Sequence, residues 1–181
     1  MTSEQIGEPG NPVHIDSDDA EREVLRRLRI LLAEKDFTII TCAQPEGSTR
    51  FPITYSLGLA RKGLPEVFLI GSHPLELMAD VAGCTANDWF EGRTTPDGPQ
   101  AELLTGEDGS SSALKVRPID AEALTSIHDI GLMRDFYGTM PSVMQLLLPD
   151  NEGHFPTEDN YDQASFPQPL MEPFVSSERV H

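Results

Sequence analysis

Arg50-Phe51-Pro52-Ile53-Thr54-Tyr55-Ser56-Leu57-Gly58-Leu59 lies between two turn signals, Pro45-Glu46-Gly47-Ser48 before it and Lys62-Gly63 after it. Beyond the first turn, on the N-terminal side, Phe37 to Ala43 is rich in β-branched and apolar residues. Beyond the second, Val67-Phe68-Leu69-Ile70 is apolar without a break. Each stretch reads as a strand. Loops this short cannot carry a crossover, so the three strands form an antiparallel meander. The unbroken apolar character of Val67 to Ile70 predicts a strand covered on both faces.

Working outward, Val24, Leu25, Leu28, Leu31 and Leu32 recur at helical spacing and predict a helix from about Asp18 to Glu34, with Asp18 and Glu21 in its first turn. Arg22, Arg26 and Arg29 fall on its other side, where intrahelical ion pairs account for them. Past the meander, Ser72 is a candidate cap for a helix with Pro74 near its first turn and Leu75, Met78, Ala79 and Ala82 on one face. Asp108-Gly109-Ser110-Ser111-Ser112 reads as the loop of a hairpin joining Glu102–Thr105 to Ala113–Arg117. Asp120 caps an expected third helix reaching about Ile130, and Ser142 to Leu148 reads as a final strand. After Asn151 the prolines at 156, 167, 169 and 173 exclude long regular structure, while Phe155, Tyr161, Phe166, Leu170 and Phe174 offer apolar anchors for a wrapping coil.

The fold class expected is α+β: a mainly antiparallel sheet of about five to six strands packed against two to three helices, with an ordered Pro-rich C-terminal coil. At 181 residues and 38% hydrophobic content, one core is the default. Residues 1–15 read as a flexible arm, 16–175 as a single domain and 176–181 as a loose end.

A net charge of −17 disfavours direct nucleic-acid binding and anionic membranes, since phosphate neutralisation needs clustered Lys and Arg. Cys42 and Cys84 form no C-x-x-C, which points to neither a disulfide framework nor a zinc site, and the two read as buried small apolar residues. The first residues carry neither a basic leader nor an apolar segment, and no apolar run approaches the roughly 18 residues that span a bilayer. A cytoplasmic location is the expectation.

Pro149-Asp150-Asn151-Glu152-Gly153-His154-Phe155-Pro156 ends the last apolar run and gathers most of the candidate chemistry. Together with Thr54-Tyr55-Ser56-Leu57-Gly58-Leu59 and Pro65-Glu66, it resembles a bacterial and phage family known as domain of unknown function 4262. The family's strand Tyr-Thr-Val-Gly-Leu, its Pro-Glu strand opening and its Pro-Asp-x-x-Gly-x-Phe-Pro corner all have counterparts, followed by Gln168-Pro169. Thr157 stands where the family pattern carries a tryptophan. The resemblance implies no established activity.

The acids after Pro149 lack EF-hand spacing, so no metal is expected, and no cofactor. Asp150 reads as a corner residue whose carboxylate accepts backbone N–H bonds. His73, His128 and His154 are the imidazoles available for proton transfer. Tyr55, Asp150, His154 and Tyr161 are the candidate ligand-binding residues. Three functions remain open, and the absence of catalytic motifs leans away from an enzyme. The first is a non-catalytic protein-binding or regulatory module with a host or bacterial protein as partner. The second is a small-molecule site or enzyme between the Thr54–Leu59 strand and the Asp150–Pro156 loop. The third is an acidic nucleic-acid mimic. The sequence sets no oligomeric state.

Overall fold

The apolar stripe of Leu28 and Leu32 is buried on one side of α1 (Ser17–Glu34), as the spacing predicts. The structure, a computed structural model, describes residues 17–100, 102–105, 111–127 and 130–173. The arm 1–15, the end 176–181, His128 and Phe174 lie outside the described residues. A charged turn leads from α1 to β1 (Thr38–Cys42), which pairs antiparallel with β2 (Ile53–Leu57), and β2 pairs antiparallel with β3 (Glu66–Ile70). The meander read from the turn signals is present. Strand β2 ends earlier than its apolar run, because Gly58 leaves the strand at φ 128° and the chain coils into a 3-10 helix, Leu59–Lys62, closed by Gly63 in the left-handed region.

Helix α2 (Leu75–Phe90) begins without the expected Ser72 cap. Pro74 holds the cap position with no side-chain bond, and the Ser72 N–H donates instead to the Pro167 carbonyl at 2.9 Å. Cys84 is exposed on this helix, contrary to the expectation of burial, because it lies off the stripe formed by Met78, Val81, Ala82, Ala86 and Trp89.

The hairpin pairs β4 (Glu102–Thr105) with β5 (Ser111–Ala113) only. The residues expected to complete it instead form β6 (Lys115–Ile119), which joins the main sheet. Leu114, buried in the core beneath α2, separates β5 from β6. Asp120 does cap the next helix, its Oδ1 accepting the Glu122 N–H at 3.0 Å, but α3 (Ala121–Leu124) lasts one turn. The Thr125 and Ser126 hydroxyls donate back to the Glu122 and Ala123 carbonyls, competing with continued helix. A separate helix follows, α4 (Gly131–Tyr137), which sequence reasoning missed. Seven residues are too few to show a period.

The last strand, β7 (Val143–Leu147), enters between β3 and β6, giving the order β1-β2-β3-β7-β6. It runs antiparallel to β6 and parallel to β3, so the α+β architecture has a mixed five-stranded sheet. Alternation along the strands divides the core. Val67, Leu69, Met144 and Leu146 meet α2, whereas Tyr55, Phe68, Ile70 and Val143 meet α1, α3 and α4.

The coil after β7 is fastened by amides more than by phenyl rings. Gln168 is buried and bridges β7, its Nε2 donating to the Leu146 carbonyl (2.9 Å) and its Oε1 accepting the Leu148 N–H (3.0 Å). Gln145 does the reverse, donating to the Pro169 carbonyl (2.7 Å) and accepting the Met171 N–H (3.0 Å). Phe155 and Phe166 are only half-buried, the first beneath the Lys115 ammonium at 4.1 Å and the second stacked on His73.

Candidate functional site

Glu66, the first residue of β3, is a carboxylate with no solvent exposure. Its Oε1 accepts the Gly58 and Ala60 N–H groups, each at 3.0 Å, and the Tyr137 hydroxyl. Its Oε2 accepts the Ser56 hydroxyl at 2.5 Å, and Ser56 Oγ in turn accepts the Val67 N–H at 2.8 Å. The carboxylate therefore takes up the free N–H groups at the start of the 3-10 helix and ties β2, β3 and α4 to one point. Burial, the Glu66 charge and the Glu66 hydrogen bond all push the Tyr137 hydroxyl well above its ordinary value. Gly58 is required here on a second count. A Cβ at this position would stand 2.5 Å from the Asp36 carbonyl and 2.7 Å from the Phe37 Cα. The sequence signal for this cluster is one acid opening an otherwise apolar strand.

The second polar centre is the corner after β7. Asp150 Oδ1 accepts the Glu152 and His154 N–H groups, each at 2.9 Å, and Oδ2 accepts the Asp162 N–H at 2.9 Å. The main chain closes the same corner, with Asp150 N–H donating to the His154 carbonyl and Gly153 N–H to the Asp150 carbonyl. Burial opposes ionisation of Asp150, but the N–H donors of Asp162, His154 and Glu152 outweigh it and hold its carboxyl below the usual range. His154 Nδ1 lies 3.6 Å from Asp150 Oδ2 and 3.8 Å from Glu152 Oε2, too far for a hydrogen bond to either. Tyr161 donates its hydroxyl to the Phe166 carbonyl at 2.5 Å, and burial together with the Asp150 and Asp162 charges pushes it up to about 12.

The expected meeting of Tyr55 with Asp150 does not occur. Tyr55 sits in the middle of β2 at the foot of a hollow of about 430 Å³, lined by Val24 and Leu25 of α1, Cys42 of β1 and Leu132 and Arg134 of α4. Asp150 borders a different hollow of about 460 Å³ with Asn151, Glu152, Asn160, Asp162, Ser165 and Phe166. β3 stands between β2 and β7, and Tyr55 points to the helix pair α1 and α4 while Asp150 lies past the end of β7. Asp150, His154 and Tyr161 do share the C-terminal coil.

Among the described residues, no group of three His, Cys, Asp or Glu side chains is placed to hold a metal ion. His73 is half-buried, and burial holds its imidazole below the ordinary value. On α1, Glu23 accepts from Arg26 and Arg27 at 2.7 Å each, and these bonds draw its carboxyl down to about 2. No helix among the described residues is long and apolar enough to cross a membrane.

The polar residues of the sequence motifs thus assemble into two backbone-binding carboxylates within one fold. No curated protein and no solved structure matches the chain. A family model described as Domain of unknown function (DUF4262) matches residues 32–162, from the end of α1 through Asp150 to Asp162. That span holds Glu66 and its partners and the whole Asp150 corner, and the chain belongs to the DUF4262 family.

Proposed function

We propose that the chain is a non-catalytic binding module that works in the cytoplasm through contact with a protein carrying a basic face. The observation behind this reading is where the motif side chains spend their bonding capacity. Glu66, Ser56, Asp150, Gln145 and Gln168 all bind the chain's own backbone, so the groups that would do acid, base or nucleophilic work are occupied in holding the fold. The charge of −17 supplies long-range attraction toward a basic partner and speeds encounter. Capture of the tagged full chain with cytosol of its source cell, at low and high salt, tests the reading. A protein retained at low salt and released at high salt is expected. Retention indifferent to salt, or no retention, sinks it.

One observation favours a second reading, a small-molecule site. The hollow above Tyr55 has apolar walls from Val24, Leu25 and Leu132, with Glu21, Arg134 and Asp135 also lining it. A thermal-shift screen of metabolites addresses it, with Leu132→Trp as the filled control. A compound that raises the melting temperature of the wild type but not of Leu132→Trp would move the function to this hollow.

A further inference from the structure

Arg117 of β6 is the one Lys or Arg among the described residues that is not exposed, and no carboxylate or carbonyl among them bonds its guanidinium. A cation drawn partly out of water without a counter-charge costs stability, and it is unexpected in a chain with 30 acids to 13 bases. Lys115, two residues before it, is exposed yet fully engaged, with Glu158 at 2.5 Å and the Phe155 ring at 4.1 Å. Arg117 lines a hollow of about 570 Å³ that follows β6, an edge strand of the main sheet, from Lys115 to Pro118. Leu114, Val116, Met144 and Leu147 give the hollow its apolar lining. Another part of the lining is the loop from Pro96 to Gln100, which is fixed in place by Gln100. That buried amide donates to the Thr95 and Gly98 carbonyls at 2.9 and 2.7 Å and accepts the Trp89 Nε1–H at 2.8 Å. Asp97, the acid in the lining, is exposed.

We propose that the hollow along β6 binds a small monocarboxylate with an apolar body, the Arg117 guanidinium taking the carboxylate and Leu114, Val116, Met144 and Leu147 taking the body. The volume is that of a small-molecule site, and apolar walls with one placed charge are how such sites fix an orientation. A carboxylate suits the planar guanidinium, whose parallel N–H groups match its two oxygens. One negative charge is the right number, because Glu158 already neutralises Lys115 and leaves Arg117 as the cation in the lining without a partner among the described residues. A second negative charge would meet no cation and would face the field of a chain of −17. The inference rests neither on the basic partner proposed above nor on the hollow above Tyr55.

Equilibrium dialysis of the full chain against octanoate and phenylacetate is the test, with octanol as the body that lacks the charge. At least one of the two carboxylates is expected to be retained saturably. Its binding should also change the emission of Trp89, which is bonded to Gln100 in the wall of the hollow. Octanol should bind about tenfold or more weakly than octanoate, since it forfeits the charge-assisted bonds. Arg117→Gln should weaken the retained carboxylate by about tenfold or more and leave octanol as it was, which shows that the hollow itself is intact in the variant. Retention of neither carboxylate overturns the proposal. So does octanol bound as tightly as octanoate by the wild type, a comparison that needs no variant, and so does a carboxylate affinity that Arg117→Gln leaves unchanged.

Discussion

Gly58 carries two constraints at once, a positive φ of 128° and backbone atoms of Asp36 and Phe37 where a Cβ would stand. Gly58→Ala is therefore expected to cost about 1 to 3 kcal/mol, more than an ordinary turn glycine, measured by chemical denaturation. A neutral result would mean that the 3-10 helix moves freely away from α1. At Glu66 the number of donors decides the outcome. Glu66→Gln puts an NH2 where one acceptor oxygen faces Ser56 and should cost about 1 to 3 kcal/mol, while Glu66→Ala leaves the Gly58 and Ala60 N–H groups unpaired and should cost more. Equal losses for the two variants would show that the carboxylate's charge and shape are not what the cluster uses.

Asp150 gives a prediction in pH. Its carboxyl is held below the ordinary 3.8, so the stability it contributes is present above that value and is lost as the pH falls through its folded value. Asp150→Asn has no such titration. The advantage of the wild type over this variant should hold from neutral pH to about 4 and then shrink in acid. A difference that is the same at all pH values would assign the corner to shape alone. The role of Asp150 was legible from sequence because its three N–H donors all lie within twelve residues of it. That of Glu66 was only half legible. The lone acid before Val67-Phe68-Leu69-Ile70 marks the position, but Tyr137 arrives from 71 residues away and no local pattern joins them.

Helix α4 is tied to the sheet region through the Tyr137 hydroxyl, which donates to Glu66 and accepts the Gly58 N–H at 2.7 Å. Removing that hydroxyl in Tyr137→Phe should cost about 1 to 2 kcal/mol and raise hydrogen exchange first in residues 131–137. Uniform exchange across the chain would contradict a local latch. The meander, α1 and β7 were readable because each has a long apolar run or a clear period. Failure began where the period was too short, in α3 and α4, and where pairing had to be guessed, in β5 and β6. Gln168 could not be read at all, since a glutamine between two prolines looks like solvent-facing coil. It acts as a substitute strand along β7, beyond the reach of the pairing with β3 that ends at Phe68 and Gln145.

At the scale of the whole molecule, the coil is part of the core. Deleting everything after Pro149 removes Gln168 and Tyr161 and leaves Gln145 without either bond, at a cost on the order of 3 kcal/mol or more. Trp89, the chain's only tryptophan, is buried with its Nε1 donating to Gln100 at 2.8 Å, so its emission reports the unfolding transition. A truncated chain that melts with the full one would show that the coil only decorates the surface. The position of β7 also has a meaning in time. As the chain leaves the ribosome, β1, β2 and β3 are made first, but β3 cannot gain its second neighbour until α2, the β4 and β5 hairpin, β6, α3 and α4 have all been synthesised. Through that interval the nascent meander offers an apolar, unpaired strand destined for the centre of the sheet, and a ribosome stalled anywhere before Val143 would release a chain inclined to aggregate.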